Sequence, residues 1–245
     1  MPASAEYAQV HRTIAALRTV GLLWDSNSFE ERLGDGVQVI DYRERRQEDV
    51  SPELNGLYRD IREAWKGVDA VEEFIRRDLH RRYTVKFLDS AIASFQCSFE
   101  EGVLVKQRVT YQQSPFFRSF SNEELYECLD DAAGLGLGAY WQVFGVKEPR
   151  VSELVSFRCD YDPAAFRFRF HPKAHLHIAG SENCRVCAES PVDPKSFFVF
   201  VVSHFYGRKL AEFEDILSDW NGYSRFEPCM HDDDKGLPYF SWGQL

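Results

Sequence analysis

The segment "AIASFQCSFEEGVLVKQRVTY", residues 91–111, has the pattern of two β-strands joined by a tight turn. Two sets of side chains alternate on each side of the turn: Ala93, Phe95, Cys97 and Phe99 against Ser94, Gln96 and Ser98, then Val103, Val105, Gln107 and Val109 against Leu104, Lys106, Arg108 and Thr110. A period of two residues is typical of a strand with one buried face. The "EEG" at 100–102 supplies the turn. The segment therefore predicts a β-hairpin.

Helical patterns surround this hairpin. Residues 5–23 place apolar side chains near one side of a helix. The segment 51–67 begins with Ser-Pro-Glu, a favourable helix start, and 69–82 has acids in its first turn and bases in its last. The Ser-capped segment 121–141 predicts another helix, and 190–220 predicts a buried helix followed by an amphipathic one. We therefore expect an α+β fold, with a central antiparallel β-sheet flanked by helices.

We expect a single α+β domain over residues 1–245, because the sequence shows no internal repeat and no low-complexity segment. Its N-terminal helical part covers about 1–82 and includes a short β-rich stretch at Val37–Tyr42. A β-rich centre follows over about 83–187, and C-terminal helices over about 191–222.

Composition and charge narrow the functional classes. Hydrophobic residues make up 44% of the 245 residues, enough for a buried core. The net charge of −10 argues against nucleic-acid binding over the whole surface, but it permits a local basic patch. No apolar run approaches the roughly 20 residues of a membrane span, and the N-terminus lacks the apolar region of a signal peptide. We predict a cytoplasmic protein with reduced cysteines and no membrane partner.

The segment "FRFRFHPKAHLHIAG", residues 166–180, concentrates cationic and titratable side chains. Alternation predicts one continuous or slightly bent strand whose even-numbered side chains enter the core: Phe166, Phe168, Phe170, Ala174, Leu176 and Ile178. The odd-numbered side chains would form the other face: Arg167, Arg169, His171, Lys173, His175 and His177. One interpretation is a face of solvated charges, which is common on amphipathic strands.

A second interpretation is a site for an anion or for an RNA backbone. Imidazoles titrate near neutral pH and can exchange protons with a substrate, while guanidinium groups hold phosphate oxygens. The candidate acid–base residues are His171, His175 and His177, with Asp160 orienting a histidine, and the candidate phosphate-binding residues are Arg158, Arg167 and Arg169. Such a site needs neither metal nor cofactor and would make the protein a candidate nuclease.

A third interpretation is a zinc site. His175 and His177 precede Cys184 and Cys187, so two imidazoles and two thiols lie within thirteen residues. This ligand set is compatible with tetrahedral zinc. However, the histidine pair would lie on a strand, and "CRVC" lacks the glycine and aromatic residues that usually shape a zinc knuckle. Zinc is therefore the alternative to the metal-free site.

Three further segments have weaker functional signals. "RRDLHRRYTVK", residues 76–86, either follows a nucleic-acid backbone or forms the solvated end of a helix, balanced by Glu72 and Glu73. "HDDDK", residues 231–235, lacks the spacing of a calcium loop and predicts an exposed acidic turn in a tail of loop character. His204 is expected to lie inside a buried helix. The sequence has no P-loop, serine elbow, zincin helix or dinucleotide fingerprint.

Four segments together resemble a known family: "SFQCSFEEGVLVKQRVTYQQSPF", "FRCDYDP", "HPKAHLHIAG" and "CRVCAESPVDPKSFFVFVVSHFY". It is the uncharacterised prokaryotic family filed as domain of unknown function 2290 (DUF2290), whose name implies no activity. The order Arg-x-Asp, His-Pro, His-x-His is also similar to the central motif of small TumE-type toxins of bacterial toxin–antitoxin pairs. The two resemblances imply a role in a prokaryotic defence or toxin–antitoxin system.

Two functional hypotheses follow. In the first, the protein is an effector of such a system that acts on RNA or another phosphodiester, and its acidic surface contacts a protein partner such as an antitoxin or a defence-system subunit. In the second, it is a non-enzymatic binding or assembly subunit, with structural zinc as an optional feature. The first hypothesis predicts a concave site where at least two histidines and one arginine converge, whereas the second predicts a flat or covered face.

Overall fold

The computed structural model describes residues 3–115, 155–178 and 185–242, except positions 28, 35, 51, 65, 169, 219–224, 233–234 and 236–238. This part of the chain contains the α-helices α1 Ala3–Thr19, α2 Pro52–Ala64, α3 Asp69–Leu79, α4 Pro194–Phe205 and α5 Leu210–Ser218. It also contains the β-strands β1 Leu23–Ser26, β2 Phe29–Gly34, β3 Val37–Tyr42, β4 Val85–Phe87, β5 Ile92–Glu100, β6 Val103–Gln112, β7 Ser156–Tyr161, β8 Ala174–Ile178, β9 Arg185–Ala188 and β10 Tyr239–Phe240.

These ten strands form one sheet in the order β1–β4–β5–β6–β7–β8–β9–β10, and the β2–β3 hairpin joins it through β3, which pairs with β5. Neighbouring strands run antiparallel, except that β10 pairs in parallel with β9. The predicted hairpin is confirmed as β5 and β6, at the centre of the sheet. The predicted α+β class is confirmed as well.

One face of the sheet carries the main hydrophobic core. The rings of Phe95 on β5 and Phe157 on β7 lie 5.5 and 5.8 Å from the ring of Phe197 on α4. Val10 and Leu17 of α1 are fully buried in the same cluster. Since burial of one large apolar side chain contributes roughly 1.5–3 kcal/mol, these contacts fix α1 and α4 on this face.

Asp193 defines the start of α4. Its side-chain carboxylate accepts a hydrogen bond from the Ser196 backbone N–H at 2.8 Å, and Pro194 occupies the first helical position. Both features are favourable at a helix N-terminus. The helix is buried, as the sequence predicts, and α5 follows as the amphipathic helix with Phe213 and Leu217 buried.

Helices α2 and α3 pack over one end of the sheet face that is opposite to the one covered by α1 and α4. Phe74 and Ile75 of α3, Tyr58 of α2 and Ile92 of β5 belong to a second, smaller hydrophobic cluster. Away from this cluster, strands β5–β8 carry polar side chains on the same face, because successive residues of a strand point to opposite sides. These polar side chains lie beside α3.

The strand predicted over residues 166–178 is wrong in its first half. A turn of 3-10 helix at Pro163–Ala165 leads into a tight turn, in which Arg167 and His171 pair as an isolated antiparallel bridge. Strand β8 begins only at Ala174. Because the backbone reverses between Arg167 and His171, the alternation of faces does not continue through the segment.

Burial in this segment also differs from the prediction. Phe168 and Phe170, expected in the core, are 40% and 78% exposed, and Ile178 is exposed as well. His175 and His177, expected on an open cationic face, are only 1% and 2% exposed. The interpretation as a face of solvated charges therefore fails for these two histidines.

Two smaller predictions are corrected. His204 is exposed on α4 rather than interior, and its Nδ1 lies 2.8 Å from the carbonyl oxygen of Phe200. The C-terminal tail, predicted as loop, contributes strand β10.

Several sequence predictions lie outside the described residues. They concern the helix over 121–141 and the side chains of Arg169, Cys184, Asp233 and Asp234. Within the described ranges, no helix has both the length and the apolar composition required to cross a membrane.

Candidate functional site

Polar side chains from four neighbouring strands line up across the sheet. Two rows in register run from β5 to β8: Ser94, Thr110, Arg158 and His177 in one, and Gln96, Arg108, Asp160 and His175 in the other. Residues opposite each other on adjacent strands share a face and can interact. The sheet thus brings together four of the predicted site residues, namely Arg158, Asp160, His175 and His177.

The Asp160 carboxylate is held by two guanidinium groups. Arg108 donates from Nε to Oδ1 at 2.9 Å, and Arg158 donates from Nε to Oδ2 at 2.8 Å. Such charge-assisted hydrogen bonds are stronger than neutral ones. Oδ2 also lies 3.5 Å from Nε2 of His177. Asp160 therefore fixes both arginines and approaches a histidine, as the predicted orienting role requires.

The tautomer of His177 follows from its contact with Arg158. The guanidinium Nη2 of Arg158 lies 3.1 Å from Nε2 of His177. Because a guanidinium can only donate, Nε2 accepts this hydrogen bond and the ring proton resides on Nδ1. The lone pair of Nε2 therefore faces the arginine.

The imidazole of His175 is neutral at neutral pH. Its Nδ1 lies 3.0 Å from the carbonyl oxygen of Pro172, which can only accept, so Nδ1 carries the proton. Burial, followed by repulsion from His177, lowers the pKa of His175 to about 4, although the charge of Asp160 acts in the opposite direction. The imidazole therefore stays uncharged at neutral pH.

Three imidazole rings succeed one another on the way into β8. The ring centroids of His171 and His175 are 4.7 Å apart, and those of His175 and His177 are 4.8 Å apart. Nδ1 of His171 is buried and has no hydrogen-bond partner among the described residues. We refer to these three residues as the histidine ladder.

A cleft of about 460 Å³ opens on this face beside α3. Its lining includes four arginines: Arg77 and Arg82 from α3 and the segment after it, Arg108 from β6 and Arg158 from β7. We refer to it as the arginine cleft. His177 is the member of the histidine ladder that lines the cleft, and Glu73 is the one carboxylate among its described lining residues.

Arg77 stands out because its hydrogen-bond partners are all neutral. It donates to Oε1 of Gln112 at 2.9 Å, to Oγ of Ser94 at 3.1 Å and to Oγ1 of Thr110 at 2.8 Å. In the part of the chain that the structure describes, no carboxylate forms an ion pair with it. Burial lowers the pKa of Arg77, although the guanidinium remains charged at neutral pH. Among the described residues, the cleft thus contains a guanidinium whose hydrogen bonds go to neutral groups, with Glu73 as the nearby carboxylate of the lining.

The family model described as "Uncharacterized conserved protein (DUF2290)" matches residues 40–242. The chain belongs to the DUF2290 family. The match confirms the resemblance to this family, and its range includes the whole arginine cleft and histidine ladder. No curated protein and no solved structure matches this DUF2290 protein.

The basic segment 76–86 of the DUF2290 protein is divided among several environments. Arg77 and Arg82 line the arginine cleft. Arg76 is exposed and pairs with Glu73 on the helix surface. The interpretation as a solvated helix end therefore fails for Arg77, which is hydrogen-bonded to the sheet. The interpretation as a nucleic-acid track stays a prediction.

Some predicted site residues lie away from the cleft. Arg167 is exposed on the turn before β8, and Arg169 is outside the described residues. His171 and His175 belong to the histidine ladder but do not line the cleft. One histidine, rather than the expected two, therefore converges with the arginines.

Sequence reasoning missed several residues of the site, and Ser94, Thr110 and Arg108 are examples. The hairpin pattern does place all three on one face, and this shared face was the available signal. Arg77 was assigned to a separate basic segment, because nothing in the local sequence indicates that α3 lies over the sheet.

The candidate metal ligands of the DUF2290 protein differ from the predicted zinc set. Among the described residues, one ligand atom each from Asp160, His175 and His177 lies within 4.8 Å of the others. Cys187 is opposite His175 in register, but its thiol is not part of this group. The remaining predicted ligand, Cys184, is outside the described residues. The predicted zinc set of two histidines and two cysteines therefore stays a prediction.

Proposed function

We propose that this DUF2290 protein is a metal-independent ribonuclease that holds an RNA phosphodiester in the arginine cleft. The observation that carries the proposal is the environment of Arg77, whose hydrogen bonds all go to neutral acceptors. A buried charge without a counter-ion is costly. A phosphate group bound in the cleft would supply that counter-ion.

The chemistry of the cleft suits a phosphodiester. Guanidinium groups bind phosphate oxygens through paired N–H donors, and Arg77, Arg108 and Arg158 contribute to the same cleft. Its volume of about 460 Å³ lies in the range of small-molecule sites. A single nucleotide fits such a volume, whereas a duplex does not.

His177 is the side chain placed to move a proton in this cleft. When a bound phosphate takes the hydrogen bonds of Arg158, Nε2 of His177 becomes available as a base. It accepts the proton of the ribose 2′-hydroxyl, whose oxygen bonds to the adjacent phosphorus, while the bond from phosphorus to the 5′-oxygen breaks. The imidazolium then gives its proton to the 5′-oxygen. The products are a 2′,3′-cyclic phosphate and a 5′-hydroxyl, and neither water nor metal is consumed.

His175 and Asp160 act through their neighbours in this proposal. The neutral ring of His175 packs 4.8 Å from that of His177 and limits its rotation. Asp160 holds the guanidinium groups of Arg108 and Arg158 in place. Both are therefore positioning residues, which do not need to touch the substrate.

The resemblance to TumE-type toxins supports a role in a prokaryotic defence or toxin–antitoxin system. The net charge of −10 offers a basic antitoxin or defence-system subunit an acidic surface to bind. Expression in a bacterial host is then expected to arrest growth, and the substitution His177→Ala is expected to relieve the arrest.

The direct test is cleavage of labelled single-stranded RNA by purified protein in the presence of EDTA. We expect products that end in a 2′,3′-cyclic phosphate, and none with His177→Ala. Arg77→Met should weaken RNA binding about tenfold or more, because it removes a charged hydrogen-bond donor.

Arg76→Met is the matched control, since Arg76 is the neighbouring residue of the same helix but does not line the cleft. An equal loss of RNA binding with Arg76→Met and Arg77→Met would contradict the site. Binding without cleavage would favour a binding subunit, and the absence of any RNA binding would overturn the proposal.

A binding subunit that contains a metal ion is the second candidate, and the group of Asp160, His175 and His177 favours it. The hydrogen bond from Nδ1 of His175 to a backbone carbonyl is common among metal-bound histidines. However, an ion here has to displace Arg158, which contacts both Asp160 and His177. Near-stoichiometric zinc in the wild type that is lost with His175→Ala would establish this metal centre and contradict metal-independent cleavage.

A further inference from the structure

Residues 166–168, 170 and 171 lie in an exposed turn, which we refer to as the aromatic turn. The backbone N–H of His171 donates to the carbonyl oxygen of Arg167 at 2.7 Å, and the N–H of Arg167 donates back to His171 at 2.9 Å. The N–H of Phe170 also donates to Arg167, at 2.9 Å. These bonds hold Phe168 and Phe170 toward solvent, where their side chains are 40% and 78% exposed.

Exposed phenylalanines on a fixed turn are unfavourable in the isolated protein. Leaving a large apolar side chain in water forgoes the favourable free energy of burying it. Exposed apolar groups that cluster in this way commonly mark interaction sites. The hydrogen bonds of the turn hold the backbone in place, so Phe170 is presented to a ligand instead of folding back into the core.

The aromatic turn lies at one end of the histidine ladder, and the arginine cleft lies at the other end. His171 closes the turn, and its ring is 4.7 Å from that of His175. The ring of His175 is in turn 4.8 Å from that of His177, which lines the cleft. The turn is therefore separated from the cleft-lining His177 by two successive ring contacts.

Cations and aromatic rings are interspersed at the turn. The Lys173 ammonium lies 5.7 Å from the ring centroid of Phe166. The imidazole of His231 stacks on the ring of Phe166, with ring centroids 5.3 Å apart and an interplanar angle of 27°. Arg167 is exposed on the same turn. Aromatic rings beside positive charges are the combination that single-stranded nucleic acids bind, through base stacking and backbone attraction.

We propose that the aromatic turn stacks the unpaired bases of single-stranded RNA whose backbone occupies the arginine cleft. This inference rests on the proposed function and adds the substrate class to it. Phe170 and Phe168 are the stacking residues. A duplex is excluded, because base pairing and stacking within the helix leave no base face available to these rings.

The test is the fluorescence anisotropy of a labelled single-stranded RNA of about 12 nucleotides, titrated with cleavage-deficient His177→Ala protein. Adding Phe170→Ala is expected to raise the dissociation constant about tenfold, since stacking on an aromatic side chain contributes about 1–3 kcal/mol per base. Phe170→Trp should retain the affinity, and its fluorescence should be quenched by RNA. A duplex of the same sequence should bind weakly to all of these proteins.

Leu33→Ala is the matched control, because Leu33 is an exposed apolar residue on β2, 82% exposed and outside the aromatic turn. It is expected to leave RNA affinity unchanged. If Phe170→Ala has no effect while Arg77→Met still weakens binding, the stacking role is wrong and the proposed function stands. If no variant or parent protein binds RNA, both are overturned. A duplex that binds as tightly as the single strand would also overturn the inference.

Discussion

The guanidinium of Arg158 and the imidazole of His177 face each other across strands β7 and β8, with Nη2 3.1 Å from Nε2. The same guanidinium bonds through Nε to Asp160. One side chain thus connects the carboxylate of Asp160 to the imidazole of His177. In the proposed function, release of Arg158 from this contact exposes Nε2 of His177 to the substrate.

Replacement of Arg158 is expected to affect the chemical step. With Arg158→Gln, we expect kcat for RNA cleavage to fall about 100-fold or more, because a donor to the charged phosphate is lost. Arg158→Lys should recover part of the loss, since it restores the charge but not the planar guanidinium. Steady-state kinetics on one RNA substrate provide the measurement. A change confined to KM would show that Arg158 contributes binding alone.

His175 is expected to make the protein sensitive to acid. Its pKa falls from 6.5 in the unfolded chain to about 4 in the folded one, so the unfolded state takes up the proton first as the pH decreases. Its contribution to stability is complete above pH 6.5 and is lost between pH 6.5 and 4. At about 1.4 kcal/mol per pKa unit, the loss is on the order of 3 kcal/mol.

The measurement is the free energy of unfolding by urea across this pH range, for the wild type and for His175→Asn. The asparagine amide can still donate to Pro172 but does not titrate. We expect the free energy of unfolding to change less with pH in the variant than in the wild type. Identical slopes in the two proteins would show that His175 is not the titrating group.

The contribution of Glu6 to stability is expected to depend on pH in the opposite direction to that of His175. Its side chain is fully buried on α1, and burial, followed by the charge of Asp193, raises its pKa well above 4.5. The folded state therefore binds the proton more tightly, so its contribution to stability is complete below pH 4.5 and is lost as the pH rises through the folded pKa. Glu6→Gln should raise Tm at about pH 8 but not near pH 4.5. A lower Tm at both pH values would contradict this assignment.

The buried ion pair of Lys86 and Asp78 is expected to hold α3 against β4. The ammonium Nζ lies 2.6 and 2.8 Å from the two carboxylate oxygens. Lys86→Met should lower the free energy of unfolding by about 3–5 kcal/mol, because the buried Asp78 carboxylate loses its counter-ion and, among the described residues, keeps only the hydrogen bond from the Tyr58 hydroxyl. The double variant Lys86→Met, Asp78→Asn should lose less free energy of unfolding than the two single variants lose in total. A double-mutant cycle in urea measures this coupling, and strict additivity would argue against it.

The fold class was predictable because local patterns agree with burial in the structure. Phe95 and Val109 alternate with polar neighbours in the sequence, and both are buried on the helix-covered face of the β5–β6 hairpin. The Asp-Pro pair at 193–194 likewise marks the start of α4, because capping depends on adjacent residues. Such short-range features need no knowledge of the tertiary structure.

The aromatic turn and the arginine cleft were not predictable in this way. The alternation of apolar and polar residues continues through Pro172 in the sequence. This pattern therefore gives no sign of the bridge between Arg167 and His171. The cleft depends on contacts between Arg77 and both Ser94 and Gln112, which are 17 and 35 residues away along the chain. Long-range packing of α3 over the sheet creates that proximity.

Strand β10 implies an order of assembly during synthesis. Tyr239 and Phe240 pair with Cys187 and Ala188 of β9, and Cys187 is opposite His175 of β8. Because a nascent chain emerges from its N-terminus, the outer edge of β9 stays open until nearly the entire described chain has left the ribosome. Open strand edges recruit other strands and promote aggregation. A chain truncated before Tyr239 is therefore expected to self-associate, even with its other nine strands present.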